Sequence, residues 1–575
     1  MKSKLKEMLL PSNSPLHDRD VLRGMGIAVV VGVIAGIGAV LFRMLIGWIE
    51  TIGFGHGKSA FAALGEYYII VIPAIGGLIV GPLIYFFARE AKGHGVPEVM
   101  IAMAKNGGRI RPRVALVKIF ASAITIGTGG SVGREGPIVQ IGATFGSAVG
   151  QWLNLPANWI RTLVACGAAS GISATFNAPI AGVFFALEVI LGSFGTRYFS
   201  VVVVSSVVAA TVSHAFLPDV ANLQVPDYGL EHWFEIVLYG FLGVVSAFAG
   251  VIFIIILYFF EDGFDKIKIP DWIKPVFGGL IIGCLGLYST DLFGVGYGAI
   301  EGAARGEFLI KGALILFVLK ILATSITIGS GGSGGVFAPS LFLGGTLGVA
   351  FGGVMNLWFP DIAGPPGAYA IVGMAAVFTS TARAPITAVV IIFELTRDYK
   401  IILPLLMCVA VSTVVSQLIY KESIYTKKMK RKGVNPPEEK MSDALENIIV
   451  RDVMTRKFET VTESTPIEQL DEIFKTSGQR GLLVVNDDGG LEGVITVSDV
   501  EASYRNGDLD ATAGEIATRS IVCAYPEQSV REALSQIGAG EVGRIPVVDR
   551  NDPKKIAGVL RRHDIIAAYM KAAEV

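Results

Sequence analysis

Charged side chains and cysteines are scarce in this sequence. Only 17% of the 575 residues are Asp, Glu, Lys or Arg, and 52% are hydrophobic, which argues against a soluble enzyme of this length. The net charge of −1 provides no basic face, so no nucleic-acid partner is expected. Residues 1–20 lack the long apolar core and small-residue cleavage site of a secretory signal.

The four cysteines show neither metal-ligand nor redox spacing. We therefore expect no disulfide and no metal site, and we predict neither enzymatic activity nor a required cofactor. Cys166, Cys284 and Cys408 lie in apolar runs, where cysteine behaves as a small hydrophobic residue. These three side chains are predicted to be buried.

Long apolar runs dominate the chain as far as Tyr420. Six of them are long enough, at about 1.5 Å per helical residue, to cross a hydrocarbon layer about 30 Å thick. These runs are 24–42, 67–88, 198–218, 236–260, 336–360 and 401–420. Shorter or glycine-broken apolar segments lie between them, which predicts on the order of a dozen or more membrane helices, some not fully spanning.

Basic residues flank this apolar part at both ends. The cluster KKMKRK at 427–432 follows the last run. Five more basic residues precede or begin the first run: Lys2, Lys4, Lys6, Arg19 and Arg23. Because Lys and Arg mark the cytosolic flanks of membrane helices, we predict an integral protein of the lipid bilayer of the plasma or inner membrane, with both termini in the cytosol.

A glycine-rich stretch of the first half recurs in the second half. Residues 118–140 read KIFASAITIGTGGSVGREGPIVQ, and residues 320–339 read KILATSITIGSGGSGGVFAP. A second pair of segments ends at Glu188 and Glu394, and both carry Ala-Pro-Ile at the same distance before the glutamate. Two halves with corresponding interrupted segments are typical of repeat-built transporters, so the substrate site is predicted where their broken helices meet.

An adjacent cation and anion, Arg134 and Glu135, end the first glycine-rich stretch. Pro137 suits the first turn of a helix, so Glu135 is predicted at or near that helix N-terminus. A carboxylate at membrane depth costs at least about 2.5 kcal/mol, which indicates a function. The structural alternative is an Arg134–Glu135 salt bridge, although sequence neighbours point apart on a helix.

Three short motifs, GHGVP at 93–97, GREGP at 133–137 and GVFAP at 335–339, occur in this order, and Tyr425 follows the last apolar run. Together they resemble the motifs of the CLC family of chloride channels and chloride/proton exchangers. The resemblance implies the CLC fold, an α-helical polytopic membrane protein with an inverted internal repeat. It also implies a homodimer with one pore in each subunit, which transports chloride and, in the exchangers, protons.

The same resemblance implies roles for single residues. Glu135 matches the gating glutamate, whose carboxylate occupies an anion site until it is protonated or displaced. The residues implied to line the anion path are His94, Gly95, Val96, Arg134, Val336, Phe337 and Tyr425. Helix N-termini and backbone N–H groups suit a chloride ion that has given up its hydration. For Tyr425 the alternative is an interfacial aromatic anchor.

Two positions depart from the family pattern. Val189 stands where the exchangers usually carry an inner, proton-accepting glutamate, and valine cannot titrate. His94 replaces the usual serine, so its imidazole is a candidate anion donor and pH sensor, unless the ring turns away and bonds to the backbone.

From about Glu446 the composition becomes that of a soluble α/β region. Two copies of one pattern, GVITVSDV with Asp499 and GVLRRHDI with Asp564, resemble a tandem pair of CBS domains. The predicted domains are a cytosolic segment 1–20, a CLC membrane domain 21–425, a basic linker 426–445, and CBS domains 446–507 and 508–575.

The CBS resemblance raises the hypothesis of an adenine nucleotide at this module. Thr496 and Asp499 match the Thr-x-x-Asp pattern that contacts a nucleotide ribose in CBS domains. The second copy retains Asp564 but has Arg561 in place of the threonine. The alternative is a pair of domains that only dimerises and braces.

The predicted function is a chloride-conducting, channel-like protein gated by Glu135. The leading alternative is a chloride/proton exchanger in which water, His94 or another group provides the inner proton route. Transport of another anion is less favoured. A CBS-linked cation channel is also less favoured, because it would require acidic residues converging on a hydrated metal.

Overall fold

The computed structural model divides the chain into two compact units, Met1–Val434 and Asn435–Val575. It describes residues 18–192, 194, 196–217, 226, 228–230, 232–435, 448–477, 479, 481–530, 532–533 and 544–573. Most of the predicted segment 1–20, and residues 436–445 of the predicted linker, lie outside the described residues.

Within the described residues, the first unit consists mainly of α-helices. In chain order these are α1 (Asp18–Glu50), α2 (Tyr68–Phe87), α3 (Val96–Lys105), α4 (Arg113–Gly127), α5 (Glu135–Trp152), α6 (Ala157–Phe176), α7 (Pro179–Phe185), α8 (Thr196–Phe216), α9 (Glu235–Lys266), α10 (Lys274–Gly286), α11 (Tyr297–Ala304), α12 (Ile310–Gly329), α13 (Phe337–Trp358), α14 (Pro366–Ala382), α15 (Pro385–Thr396), α16 (Ile402–Ile419) and α17 (Ile424–Arg431). Single turns lie at Thr51–His56, Gly57–Ala60, Ala62–Tyr67, Arg89–Ala91 and Thr290–Leu292, and a π-helical turn, Ala186–Leu191, extends α7.

Helices α1 to α8 recur in the same order as α9 to α16. The crossing of α5 and α6 is so close that a Cβ on Gly142 or Gly167 would overlap the carbonyl oxygen of the other glycine. Gly344 and Gly373 stand in the same relation at the crossing of α13 and α14. The internal repeat predicted from the sequence is therefore confirmed at the level of helix packing.

The two halves are inverted relative to each other. Gly77 of α2 lies against Pro275, and Gly81, one turn later, lies against Trp272, so the contacts run backwards along the second segment. The corresponding helices α2 and α10 are therefore antiparallel. Contacts through glycines let the backbones approach closely, as is common between membrane helices.

Each of the six long apolar runs overlaps a helical span that is long and apolar enough to cross a membrane, and the structure adds a seventh span. Within the described residues, seven helical spans are long and apolar enough: Leu22–Ser59, Ala63–Phe87, Phe199–Phe216, Glu235–Lys266, Ile310–Gly329, Phe337–Trp358 and Ile402–Arg431. The span Ile310–Gly329 was missed because Lys311 and Lys320 interrupt its apolar run. Shorter apolar helices lie between the spans, as predicted.

One of the three cysteine predictions is wrong. Cys166 and Cys408 are buried, whereas Cys284 of α10 is exposed. An apolar run does not distinguish a side chain packed inside the protein from one on its outer surface, because a membrane protein can be apolar on both. The exposed position of Cys284 follows from this ambiguity.

Helix α17, which carries Tyr425 in its first turn, is held by contacts to two other helices. Ser423 and Thr426 form a capping box at its start. Lys428 pairs with Glu261 of α9, and Lys432, just after the helix, pairs with Glu98 of α3. The helix continues across the boundary drawn at residue 425.

The second unit is α/β. It contains α18 (Val450–Val453), β1 (Thr460–Thr462), α19 (Ile467–Ser477), β2 (Gly481–Val485), β3 (Leu491–Thr496), α20 (Val497–Asn506), α21 (Ala513–Ile516), β4 (Arg544–Val548), β5 (Ile556–Arg561) and α22 (Arg562–Ala573). Strand β2 pairs in parallel with β1 and antiparallel with β3, and β4 pairs antiparallel with β5. Each copy therefore contains a β-hairpin followed by a helix.

Candidate functional site

Three glycine-rich loops from both halves bind one another through backbone hydrogen bonds. The N–H of Gly133 donates to the carbonyl of Gly335 (2.8 Å), and the N–H of Gly335 donates back to Gly133 (2.6 Å). The N–H of Gly93 donates to Gly332 (3.1 Å), and Gly334 donates to Gly93 (3.3 Å). Helices α3, α5 and α13 begin directly after these loops, so their N-termini lie together.

The first turn of α5 touches the other two loops. A Cβ on Gly136 would overlap the carbonyl oxygen of His94 and would lie 2.9 Å from Cα of Gly335. Only a hydrogen on Cα fits between these backbones. Gly136 therefore fixes how closely the three loops can approach.

Two fully buried lysines hold corresponding loops of the two halves. Nζ of Lys118 donates to the carbonyls of Ala91 (3.0 Å) and Gly93 (2.7 Å). Nζ of Lys320 donates to the carbonyls of Leu292 (3.1 Å) and Gly294 (3.0 Å). The sequence contained a signal for this role, because an identical lysine interrupts an apolar run at the same place in both halves.

Glu135 is the first residue of α5 and is fully buried. This confirms its predicted position at a helix N-terminus. Its Oε2 accepts a hydrogen bond from the N–H of Ala338 in the first turn of α13 (3.4 Å). Its Oε1 accepts from the hydroxyl of Tyr297 (3.3 Å). The carboxylate therefore lies where two helix N-termini converge, and their dipoles stabilise a negative charge.

Arg134 turns its guanidinium onto an aromatic ring. Its Cζ lies 4.9 Å from the centroid of the Tyr297 ring, a cation–π geometry. Sequence analysis missed Tyr297. In GVGYG, Gly294 and Gly296 correspond to Gly93 and Gly95 of GHGVP, but this loop has no proline, so the motif was not recognised.

His94 lies in the loop that precedes α3. It is 2% exposed, and neither ring nitrogen has a hydrogen-bond partner among the described residues. Its ring centroid is 6.1 Å from that of Tyr425. The alternative in which the ring bonds to the backbone is therefore wrong. Gly95 has φ of +81°, which favours glycine, and Val96 begins α3 as a buried residue.

The other predicted anion-path residues are buried near the start of α13 and α17. Val336 is the N-cap of α13, and Phe337 is its first residue. The Phe337 ring packs against Phe378 at 4.2 Å between centroids. Tyr425 is 2% exposed, which contradicts the alternative of an interfacial anchor.

Glu188 and Glu394 cap helices of opposite halves. The carboxylate of Glu188 accepts hydrogen bonds from the N–H groups of Ile386 (3.1 Å) and Thr387 (2.9 Å) at the start of α15. The carboxylate of Glu394 accepts from the corresponding N–H groups at the start of α7, those of Ile180 (3.0 Å) and Ala181 (2.7 Å). Both glutamates therefore satisfy amide groups that a helix leaves unpaired.

Val189 follows Glu188 in the π-helical turn and is 7% exposed. Its side chain is apolar, so this position offers no proton acceptor. The neighbouring carboxylate of Glu188 is engaged by the first turn of α15.

In the second unit, the two candidate nucleotide-binding aspartates have different hydrogen-bond partners. Oδ2 of Asp499 accepts from both the N–H and the hydroxyl of Thr496, each at 2.7 Å. Asp564 receives two hydrogen bonds from the guanidinium of Arg561, one on each oxygen, at 2.7 and 3.1 Å. The second carboxylate is thus paired with a cation that stands where the first copy has a threonine.

Comparison with known proteins agrees with this architecture. The family model described as "voltage gated chloride channel" matches residues 76–417, and the CBS-domain model matches residues 450–504 and 513–571. The chain belongs to the CLC family. It is therefore an integral membrane protein, and a tandem pair of CBS domains follows its membrane part.

Similar CLC proteins occur in bacteria and plants. The putative chloride channel protein ClcB-like of Ralstonia nicotianae is 31% identical over 414 residues, covering 71% of this chain and 96% of that protein. The H⁺/Cl⁻ exchange transporter ClcA of Yersinia pestis is 33% identical over 427 residues, covering 71% and 88%. Chloride channel protein CLC-f of Arabidopsis thaliana is 28% identical over 639 residues, covering 95% and 80%.

Solved CLC structures share the fold. A slow cyanobacterial Cl⁻/H⁺ antiporter has a TM-score of 0.66 at 27% identity, covering 73% of this chain and 99% of that one. A eukaryotic CLC transporter has a TM-score of 0.64 at 20% identity and covers 95% of this chain and 98% of that one. The second likeness extends through the region that contains the CBS pair.

Proposed function

We propose that this CLC protein conducts chloride through the site formed by the three glycine-rich loops, with Glu135 as the gate. The observation that carries this proposal is the buried carboxylate of Glu135, seated where the N-termini of α5 and α13 converge. A site that stabilises this carboxylate also suits a chloride ion, because both are monovalent anions that interact with the same N–H groups. Chloride can enter when the carboxylate leaves.

His94 and Tyr425 extend the proposed anion path beyond the helix N-termini. His94 offers ring nitrogens that no described protein group engages. The ring centroids of His94 and Tyr425 lie 6.1 Å apart, so the two side chains adjoin. N–H donors of this kind bind chloride without holding it so tightly that it cannot leave.

Replacing His94 by serine is expected to change the selectivity among monovalent anions or the pH dependence of transport. Serine removes an ionisable imidazole, with its two ring nitrogens, and leaves a smaller hydroxyl donor. The measurement is the reversal potential with chloride on one side and nitrate or bromide on the other, at several pH values. The control is His214→Ser on the exposed side of α8. Unchanged selectivity and pH dependence in His94→Ser would exclude an ion contact by His94.

The proposed transport is channel-like rather than strictly proton-coupled. Val189 provides no titratable group at the position of the inner proton glutamate, and Glu188 is engaged as a helix cap. A proton would therefore lack a free carboxylate carrier at positions 188 and 189. The second candidate is an H⁺/Cl⁻ exchanger, because a relative at 33% identity and a solved structure at 27% identity bear that name. In that case His94, with both ring nitrogens unpartnered among the described residues, is the proposed inner proton carrier.

The reversal potential under a pH gradient distinguishes the two candidates. Purified protein in a planar bilayer is expected to reverse at the chloride equilibrium potential, whatever the proton gradient. A displacement that follows the pH gradient would show proton coupling and favour the exchanger. Transport of another anion in preference to chloride would appear in the same experiment as a different permeability order. Absence of any anion current, both in the wild type and in Glu135→Ala, would exclude the proposed function.

Further proposals concern assembly, location and regulation. The family resemblance supports a homodimer with one pore in each subunit, in the plasma or inner membrane, with both termini cytosolic. For the CBS pair we propose an adenine nucleotide at the first copy. Asp499 is held there by a neutral threonine, whereas Arg561 neutralises Asp564 in the second copy.

A further inference from the structure

Tyr297 joins Glu135 to the opposite half of the molecule. It is the first residue of α11, which corresponds in the second half to α3 in the first. Its hydroxyl donates to Oε1 of Glu135 at 3.3 Å. Arg134, the residue before the glutamate, stacks on its ring. The tyrosine therefore contacts both charged residues of the GREGP motif.

We infer that Tyr297 is a positioning residue that holds Glu135 in its blocking position and sets the pH at which the pathway opens. This inference rests on the proposed role of Glu135 as the gate. A backbone donor to the carboxylate, the N–H of Ala338, lies at the proposed anion site and is available to chloride as well. The Tyr297 hydroxyl contacts the opposite carboxylate oxygen, so it favours the glutamate over the competing anion.

The hydroxyl favours the ionised form of the gate. A phenol donates a hydrogen bond more strongly to a carboxylate than to a neutral carboxylic acid. Protonation of Glu135 therefore weakens its contact with Tyr297, and the side chain can leave. The oxygen–oxygen distance of 3.3 Å is long for such a hydrogen bond, so the effect belongs at the lower end of the range for charged acceptors.

The guanidinium and phenol groups near Glu135 do not change their protonation state over the pH range of the experiment described below. Arg134 of the same motif and Arg43 of α1 are guanidinium groups, which stay protonated. Tyr425 of α17 and Tyr297 are phenols, which ionise near pH 10 in model compounds. Among these groups, Glu135 is therefore the one that can gain a proton as the pH falls.

Replacing Tyr297 by phenylalanine tests the inference. Phenylalanine keeps the ring under Arg134 and removes the hydroxyl alone. Chloride efflux from vesicles that contain the full-length protein is measured from about pH 4 to 9. The pH of half-maximal efflux is expected to rise by about one unit relative to wild type. The matched control is Tyr228→Phe, which removes a buried hydroxyl that donates to the carbonyl of Ala304 at the other end of α11 (3.0 Å). This control is expected to keep the wild-type midpoint.

A double variant distinguishes an effect of Tyr297 on the Glu135 carboxylate from a general change of structure. In a Glu135→Gln background, Tyr297→Phe is expected to leave efflux unchanged, because the ionisable partner of the hydroxyl is absent. A shift that acted through His94 instead would persist in this background.

Two outcomes overturn the inference. One is a Tyr297→Phe protein that elutes as folded protein and conducts chloride with the wild-type pH of half-maximal efflux. The other is a shift that persists in the Glu135→Gln background. A wild-type protein without chloride flux would instead overturn the proposed function, and this inference with it.

Discussion

Replacing Glu135 by alanine is expected to produce chloride flux that no longer follows the pH dependence of the wild type. The carboxylate lies at the convergence of α5 and α13, and we propose that it competes with chloride for the N–H groups there. Alanine removes the competitor and leaves the donors. Flux at neutral pH should rise at least to the level that the wild type reaches when its gate is protonated. Efflux of chloride from vesicles at a series of pH values measures both effects.

The control for this experiment is a glutamate that lies away from the convergent loops. Glu301 of α11 pairs with Arg305 at 3.1 Å, and both side chains are 41% exposed. Glu301→Gln removes a comparable carboxylate and is expected to keep the wild-type pH profile. A Glu135→Ala protein that retained the wild-type pH dependence would show that another group gates the path.

Replacing Gly136 by alanine is expected to lower chloride flux by roughly ten- to a hundredfold in a protein that still folds. The added methyl group would overlap the carbonyl oxygen of His94 and approach Cα of Gly335 to 2.9 Å. The loops would have to separate by on the order of 1 Å, and displacements of this size in positioned sites have effects of this magnitude. Flux per reconstituted protein is the measurement, with elution on size exclusion as the test of folding.

Gly240→Ala provides the matched substitution. Gly240 lies inside α9, and a Cβ at this position would meet nothing within 4 Å. Alanine there improves the helix propensity by up to about 1 kcal/mol and changes no contact, so wild-type flux is expected. If Gly136→Ala and Gly240→Ala both conduct like wild type, the pathway does not pass through the close contact of the three loops.

The parts of the site that the sequence predicted are those with a local chemical signal. Pro137 and the preceding glycines define where α5 begins, so Glu135 could be placed at its N-terminus without a structure. The internal repeat predicted that GREGP and GVFAP would meet, and Gly133 and Gly335 do bind each other. In both cases the relevant information lay within a short segment or in two similar segments.

The parts that the sequence did not predict depend on contacts between distant, dissimilar segments. Tyr297 reaches Glu135 across 162 positions, and its loop lacks the proline that marked the other motifs. The roles of Glu188 and Glu394 depend on contacts in which each carboxylate caps a helix of the other half. The orientation of His94, with its ring nitrogens unpartnered among the described residues, likewise depends on packing that no local pattern encodes.

Glu188 and Glu394 each cap a helix of the opposite half, which bears on how this fold arose and assembles. Neither half of the polypeptide satisfies the amide end of its own short proline-initiated helix, because the acceptor is supplied by the other half. A single half synthesised by itself would leave those N–H groups without a hydrogen-bond acceptor. Two copies in inverted orientation would each supply the glutamate that caps the helix of the other. This reciprocal capping is expected if an ancestral half-length protein formed an inverted dimer and its gene was then duplicated and fused.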